Sequence, residues 1–273
     1  MGLVSDTGVC VRAWDWSETS QTLWIFTRTL GLLRCVAKGS KRANSAFSGG
    51  VELMTRGDLV VSTRAIEKGS QSLSTLTAWD LAEIFPGARA TLASFHVGMA
   101  MLDLVQHALH ENDPHEAVFD ALVTALRELG DPARETLAVA RLAWIILAET
   151  GHTPELHRDV RADASLKTAK SYAFSPRLGG FTQDDTAHEW THVGPSTSSR
   201  STIEIGPVWR VRDSTLDLLR RLSSGEVVDP AATDATTTQR TAKLLLMYFR
   251  EVFQCEPKAV GALLERWGRG GSK

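Results

Sequence analysis

The spacing of apolar residues changes once along this chain of 273 residues. Up to about residue 80, apolar and polar side chains tend to alternate, which is the period of a β-strand. Beyond that point apolar residues recur at every third or fourth position, which is the period of a helix. We therefore expect an α+β protein, with a sheet domain over residues 1–80 and a helical domain over residues 81–273.

The first part contains six short segments with strand character, separated by turns of Gly, Ser, Asn and Asp. They are Val9–Trp14, Thr22–Thr27, Leu32–Lys38, Val51–Met54, Leu59–Thr63 and Leu73–Thr77. No helical segment that could serve as a crossover lies between them, which argues against a parallel sheet. This pattern favours a small closed or partly open barrel.

The second part contains segments with helical spacing that end at Gly or Pro, as consecutive antiparallel helices require. The predicted helices are residues 92–110, 116–129, 133–150, 214–222, 242–253 and 258–267. Between about residues 155 and 212 the spacing lapses into polar sequence rich in Ser and Thr and broken by Gly and Pro. We expect a loop-rich insertion there.

The charge of the chain is distributed unevenly. The formal net charge of −2 argues against a uniformly basic coat, so any binding to nucleic acid must be local. Residues 34–42 hold four Lys or Arg residues and no Asp or Glu, whereas the helical segments downstream are rich in acid. The sequence therefore indicates a basic patch on the N-terminal part.

Aromatic rings accompany this basic patch on the predicted strands. Strict alternation places Cys10, Arg12 and Trp14 on one face of the first strand, and Trp24 and Phe26 on one face of the second. Cations beside flat rings suit single-stranded nucleic acid. The candidate contacts are Arg12, Trp14, Trp24, Phe26, Arg34, Lys38, Lys41 and Arg42. The alternative, in which the rings fill the barrel and the cations form a solvated edge, stays open.

Cysteine usage and apolar runs indicate the compartment. Cys10, Cys35 and Cys255 have no paired spacing, and an odd number suits a reducing compartment better than a disulfide scaffold. Residues 1–20 lack the apolar core of a signal peptide, and no apolar run is long enough to span a bilayer. We expect a cytoplasmic protein that does not associate with membranes.

One motif suggests a different class of protein. The segment His188-Glu189-Trp190-Thr191-His192 matches H-E-x-x-H, in which two histidines hold zinc and the Glu acts as general base. The segment lacks the apolar face of a buried active-site helix. The downstream candidates for a third ligand, Glu204 and Glu226, lie beside helix-breaking Gly/Pro and Ser/Gly sequences and not on a second clear helix. A zinc-dependent hydrolase is therefore the alternative hypothesis.

Several motifs, in order along most of the chain, resemble the RecO family of bacterial DNA repair and recombination mediators. They are similar to the family patterns D-x-x-E, L-F-T, A-K-G-x-R and F-S-P-x-x-G-G and to the segment that leaves the family's barrel. In this chain they read Asp15-Trp16-Ser17-Glu18, Phe26-Thr27, Ala37-Lys38-Gly39 with Arg42 close by, Phe174-Ser175-Pro176-Arg177-Leu178-Gly179-Gly180, and Leu81-Ala82-Glu83-Ile84-Phe85-Pro86-Gly87.

The resemblance implies an oligonucleotide-binding (OB) barrel followed by a helical domain, with no enzymatic activity and no cofactor. It implies binding of single- and double-stranded DNA, annealing of complementary strands, and help in loading RecA onto protein-coated single strands at the nucleoid. The implied partners are RecR and the C-terminal tail of the single-stranded-DNA-binding protein. By position, Lys38, Lys41 and Arg42 are the first candidates for DNA contacts, followed by Arg34 and Arg12. A barrel that binds only protein is a further alternative.

Many members of this family carry a four-cysteine zinc ribbon around the F-S-P-x-x-G-G motif. The resemblance places Asp159, Ala162, Gln183 and Thr186 at the four ligand positions. Since Ala162 cannot ligate and the other groups are a poor set for zinc, we expect a degenerate zinc-ribbon region without metal. Hydrogen bonds and packing of Tyr172, Phe174 and Phe181 would then hold the insertion together. A metal site unlike that of the family could still form from His157, His188 and His192.

Overall fold

The computed structural model describes residues 2–47, 49–62, 73–183 and 208–269. Its first five strands are β1 (Leu3–Asp15), β2 (Gln21–Thr27), β3 (Gly31–Ala37), β4 (Arg56–Ser62) and β5 (Ser74–Glu83). They close into a barrel in the order β1-β2-β3-β5-β4. All neighbours are antiparallel except β3 and β5, which pair in parallel. A five-stranded barrel of this kind is an OB-fold, so the predicted N-terminal barrel is confirmed.

Seven helices are described after the barrel: α1 (Pro86–Ala90), α2 (Leu92–Ala108), α3 (Glu116–Arg127), α4 (Pro132–Glu149), α5 (Asp213–Ser223), α6 (Ala235–Phe253) and α7 (Lys258–Arg269). Helix α6 begins seven residues before its predicted start at residue 242. The reason is that Asp234 caps this helix by accepting a hydrogen bond from the Thr237 N–H, and the first turns bury threonines instead of large apolar side chains. Among the described residues, no helix is both long and apolar enough to cross a membrane.

Two strand predictions differ from the structure. Residues 51–54 form a turn, in which Met54 has a φ of 58°, so the predicted strand Val51–Met54 is wrong. Strand β5 continues to Glu83, well beyond the predicted end at Thr77, because Leu81 pairs with Gly57 of β4.

A β-bulge in β1 corrects the predicted faces of that strand. Cys10 lies opposite Ile25, and the next paired position, Arg12, lies opposite Trp24, so that Val11 is the extra residue. Cys10 is therefore buried inside the barrel, whereas Arg12 is exposed on the outside. The prediction that these two side chains share a face is wrong.

The interior of the barrel includes both N-terminal cysteines. They pack in a cluster with the inward side chains Leu23, Ile25, Leu33, Leu59, Val61, Leu76 and Trp79. Burial raises the pKa of Cys10 and of Cys35 to about 12, so both remain thiols at neutral pH. All three cysteines are free.

The barrel packs directly against the helical domain. The ring of Phe26 meets that of Phe119 in α3 edge to face, with centroids 5.7 Å apart. At the C-terminal end of β5, both carboxylate oxygens of Glu83 accept hydrogen bonds of 2.8 Å from Arg127 of α3. The hydrogen bonds from Arg127 hold the pKa of Glu83 below its usual value. Apolar contact and this bidentate ion pair together join the two domains.

The insertion is more ordered than the sequence predicts. Its strands β6 (Ser171–Ser175), β7 (Gly180–Gln183) and β8 (Trp209–Arg212) form an antiparallel sheet in the order β7-β6-β8. The rings of Phe174 and Phe181 are 4.9 Å apart, and Phe174 also packs on Tyr248 of α6 at 5.1 Å. Tyr172, Phe174 and Phe181 are all buried, which confirms their predicted packing role.

Candidate nucleic-acid interface

A row of three side chains crosses the outer face of the barrel. Arg12 of β1 and Arg34 of β3 both lie opposite Trp24 of the intervening strand β2. The guanidinium carbons of Arg12 and Arg34 are 5.6 Å and 5.1 Å from the centroid of the Trp24 ring, within the range of a cation–π interaction. Because Trp24 is partly buried and interacts with two cations, its ring positions the arginines more readily than it could stack on a base.

The neighbouring row on the same face is covered by the helical domain. It consists of Val9, Phe26 and Leu32, which belong to the same apolar cluster as helices α2 and α3. Phe26 is 0% exposed, so its ring has no surface on which a base could stack. The prediction that Phe26 contacts DNA is therefore wrong, although its place on the same face of β2 as Trp24 was predicted correctly.

Trp14 extends the exposed aromatic surface beyond this row. Its ring meets Trp24 edge to face at 6.3 Å, and the guanidinium carbon of Arg12 lies 5.1 Å from its centroid. With 43% of its surface exposed, Trp14 retains ring area that a ligand could cover. Of the three aromatic residues predicted to contact nucleic acid, Trp14 has the most accessible ring.

The loop after β3 carries the other predicted cations, and it is bound to the turn between β1 and β2. The Gly39 N–H donates to the Ser20 hydroxyl at 3.1 Å, and the Lys41 N–H donates to the Thr19 carbonyl at 3.1 Å. The Lys41 ammonium also forms an ion pair of 2.5 Å with Asp15. Lys38, Lys41 and Arg42 are therefore exposed on a loop whose backbone is anchored.

Gln21 anchors the same loop from inside the barrel, a role that the sequence analysis missed. Its side-chain oxygen accepts hydrogen bonds of 3.0 Å from both the Ser40 hydroxyl and the Val51 N–H, and its amide nitrogen donates to the Val51 carbonyl at 3.1 Å. Gln21 occupies an inward position in the alternation that continues with Leu23 and Ile25. A polar residue at an inward position of a strand was the signal that could have revealed it.

The five predicted cations differ in their availability to a ligand. Arg34 pairs with Glu111, and Lys41 pairs with Asp15. Arg12, Lys38 and Arg42 form no ion pair with a carboxylate in the part of the chain that the structure describes. These three cations are therefore the ones that could pair with phosphate without first giving up an acidic partner.

The residues at the family's zinc positions do not fit a zinc ion. The Asp159 carboxylate, only 4% exposed, accepts hydrogen bonds from the N–H groups of Arg161 and Ala162 at 2.8 and 3.0 Å, and from the Thr182 hydroxyl and Gln183 N–H at 2.8 Å. Burial on its own raises the pKa of Asp159, but these hydrogen bonds outweigh it and hold the pKa below its usual value. The carboxylate thus joins the turn at residues 161–162 to strand β7.

Other candidate metal ligands are only partly described. Ala162 offers no ligand, the Gln183 side chain donates to the Lys167 carbonyl at 3.0 Å, and Thr186 lies outside the described residues. The motif from His188 to His192 and the candidate ligand Glu204 also lie outside them. Within the described ranges, no three His, Cys, Asp or Glu side chains come together as a metal site.

The structure defines a protein with an OB barrel joined to a helical domain. Cations and aromatic rings lie on the part of the outer barrel surface that the helices leave uncovered. Residues 1–85 match the family model "Recombination protein O N terminal", and residues 89–199 match "Recombination protein O C terminal". The chain belongs to the RecO family of DNA repair proteins.

Similar proteins from three organisms support this assignment. The "DNA repair protein RecO" of Delftia acidovorans is 30% identical over 210 residues, which cover 72% of this chain and 79% of that protein. The protein of the same name from Rhodopirellula baltica is 27% identical over 232 residues, covering 84% of this chain and 78% of the relative. That of Salinibacter ruber is 32% identical over 127 residues, covering 46% and 47%.

Proposed function

We propose that this protein is a non-enzymatic recombination mediator that binds single- and double-stranded DNA through the outer face of its barrel. The observation that carries the proposal is the row formed by Arg12, Trp24 and Arg34, next to a loop that carries Lys38 and Arg42. This row crosses strands β1, β2 and β3 beside the β1–β2 loop. The face of the second and third strands and this loop are parts of an OB-fold that commonly bind oligonucleotides. In this proposal residues 1–80 form the DNA-binding domain.

The chemistry of this face suits binding that does not depend on base sequence. Arginine and lysine side chains neutralise phosphates and release the counterions condensed on DNA. Neutralising two strands on one surface lowers the repulsion between them, which favours annealing of complementary strands. Contacts with the backbone alone carry no sequence information, as a mediator acting along a whole chromosome requires.

The proposed role also includes partners. We infer that the protein helps to load RecA onto protein-coated single strands, together with RecR and the C-terminal tail of the single-stranded-DNA-binding protein. The support is membership of the RecO family, in which relatives bear the name of a DNA repair protein. The helical domain, residues 81–273 with the insertion at about 155–212, would offer surface to these proteins, in the cytoplasm at the nucleoid.

The test is DNA binding at several salt concentrations. The double variant Lys38→Glu/Arg42→Glu should weaken binding to a labelled single strand. It should also make the negative slope of log K against log salt shallower by about 1.4, the value for two lost phosphate contacts. The matched control reverses two exposed cations of the helical domain, Arg134→Glu/Lys258→Glu, and should leave the slope unchanged.

A strand-annealing assay tests the second half of the proposal. The wild-type protein and the control variant should accelerate the pairing of complementary oligonucleotides, whereas Lys38→Glu/Arg42→Glu should not. If the wild-type protein shows no salt-dependent binding to DNA, the barrel is a protein-binding module and the proposal fails.

A further inference from the structure

A cleft of about 420 Å³ lies between the β1–β2 turn and the loop after β3. It is lined by Trp16, Ser17, Ser20, Val36, Lys38, Gly39 and Arg42. Trp16 is 72% exposed, more than any other aromatic side chain among the described residues. A large indole ring left in water beside two cations is the feature that needs an explanation.

The ring and the cations are held on one frame. In the β1–β2 turn, the N–H groups of Trp16 and Ser17 both donate to the Ser20 carbonyl, at 2.9 and 3.2 Å. The hydroxyl of the same Ser20 accepts from the Gly39 N–H, which ties this turn to the loop of Lys38 and Arg42. The turn and the loop cannot shift relative to each other without breaking the bond between Ser20 and Gly39, so the two walls of the cleft are held together.

Gly39 also lies beside one of the cations. Its φ of +68° favours glycine, and a Cβ built there would lie 3.5 Å from the side chain of Arg42. The Arg42 side chain therefore runs alongside the glycine backbone. Arg42 lines the cleft together with Lys38.

The composition of the cleft favours a nucleotide over a peptide. Among the described residues that line it, Val36 is the only apolar side chain apart from the Trp16 ring, so it offers little apolar surface for a protein segment. An indole ring next to two cations without an ion-pair partner in the described residues provides a stacking surface for a base and charge for the adjoining phosphates. A base can reach the ring only when it is unstacked, as in a single strand.

We propose that Trp16 is a base-stacking site that gives the protein a contact with single-stranded DNA that a duplex cannot make. The inference rests on the proposed function, because Lys38 and Arg42 must hold the DNA backbone for a base to reach Trp16. It adds a residue outside the alternating strands to the DNA-binding surface. It also assigns a specific partner chemistry, an unpaired nucleotide, to the cleft.

The test compares three ligands of equal length: oligothymidylate, the same backbone without bases, and a duplex. Trp16→Ala should weaken binding of oligothymidylate about tenfold, as expected for the loss of one stacked base. It should leave the affinity for the abasic strand and the duplex, and the salt slope, unchanged. Trp16→Phe should retain most of the affinity, and Leu92→Ala, which removes an equally exposed apolar side chain from α2, should have no effect.

The outcomes separate this inference from the proposed function. If Trp16→Ala binds oligothymidylate as tightly as the wild type, or loses the same factor on the abasic strand, stacking on Trp16 is refuted while DNA binding stands. If no ligand binds to the wild-type protein in a salt-dependent manner, both proposals fall. Circular dichroism and an unchanged Tm would establish that each variant is folded.

Discussion

Gln21 and Val51 exchange two hydrogen bonds inside the barrel: the side-chain oxygen of Gln21 accepts from the Val51 N–H, and its amide donates to the Val51 carbonyl. The same oxygen accepts from the Ser40 hydroxyl. One buried amide in β2 therefore fixes both ends of the loop that carries Lys38, Lys41 and Arg42. The stability of the barrel and the position of the basic loop depend on the same group.

Replacing this amide should affect both properties. Gln21→Leu keeps a similar volume but leaves the Val51 groups unpaired, which should destabilise the protein by about 1–3 kcal/mol in urea unfolding. It should also weaken binding to single-stranded DNA although no charge is lost. Ser40→Ala removes one of the three hydrogen bonds and should give a smaller change in both. Unchanged DNA affinity in a destabilised Gln21→Leu protein would contradict the positioning role.

Asp159 should make the stability of the insertion depend on pH. Asp159→Asn places a donor opposite N–H groups and should cost about 1–3 kcal/mol at pH 7. Because the folded-state pKa of Asp159 lies below the unfolded value of about 3.9, the stabilisation is fully present above the unfolded value and is lost as the pH falls through the folded one. The difference in Tm between the variant and the wild type should therefore be constant near neutral pH and shrink in acid.

A chelator provides the control for Asp159. If the Asp159 carboxylate stabilises the insertion without a metal ion, treatment with EDTA should leave the Tm of the wild-type protein unchanged. A large loss of Tm on chelation, with metal released in stoichiometric amount, would show instead that a metal holds the insertion.

Gly31, at the start of β3, packs closely against the loop between α2 and α3. It has a φ of +75°, and a Cβ at this position would lie 2.4 Å from the Asp113 carbonyl oxygen. Gly151 provides a matched control, because its φ is +76° but a Cβ there meets no atom within 4 Å. Gly151→Ala should cost about 1–2 kcal/mol for the left-handed backbone alone, and Gly31→Ala should cost clearly more in urea unfolding. Equal costs would mean that the Asp113 contact relaxes freely.

Phe26 should behave as a core residue and not as a DNA contact. Phe26→Leu loses the edge-to-face contact with Phe119 and should destabilise the protein by about 1 kcal/mol. Its affinity for single-stranded DNA should equal that of the wild type under conditions where both are folded. A loss of affinity comparable to that of Lys38→Glu/Arg42→Glu would restore the original prediction.

Local sequence patterns predicted much of the candidate site. The alternation of Trp24 with Leu23 and Ile25 placed its ring on the opposite face from these two side chains, and the run from Arg34 to Arg42 identified the basic stretch. Strict alternation failed at Val11, because a bulge depends on the register with the partner strand and leaves no clear mark in one strand alone. The strand pattern did not single out Trp16, since it lies in a turn, where the period of a strand no longer applies.

By itself, the sequence determined the order of a barrel and a helical domain, because the period of apolar residues is a local property that each segment carries. It also placed cations and rings on the barrel, since their positions follow from the same period. Only the tertiary structure decided which of them remain accessible: helices α2 and α3 cover Phe26 but leave Arg12 and Trp14 exposed. Burial at this junction arises from contacts between residues far apart in the chain, which no local pattern records.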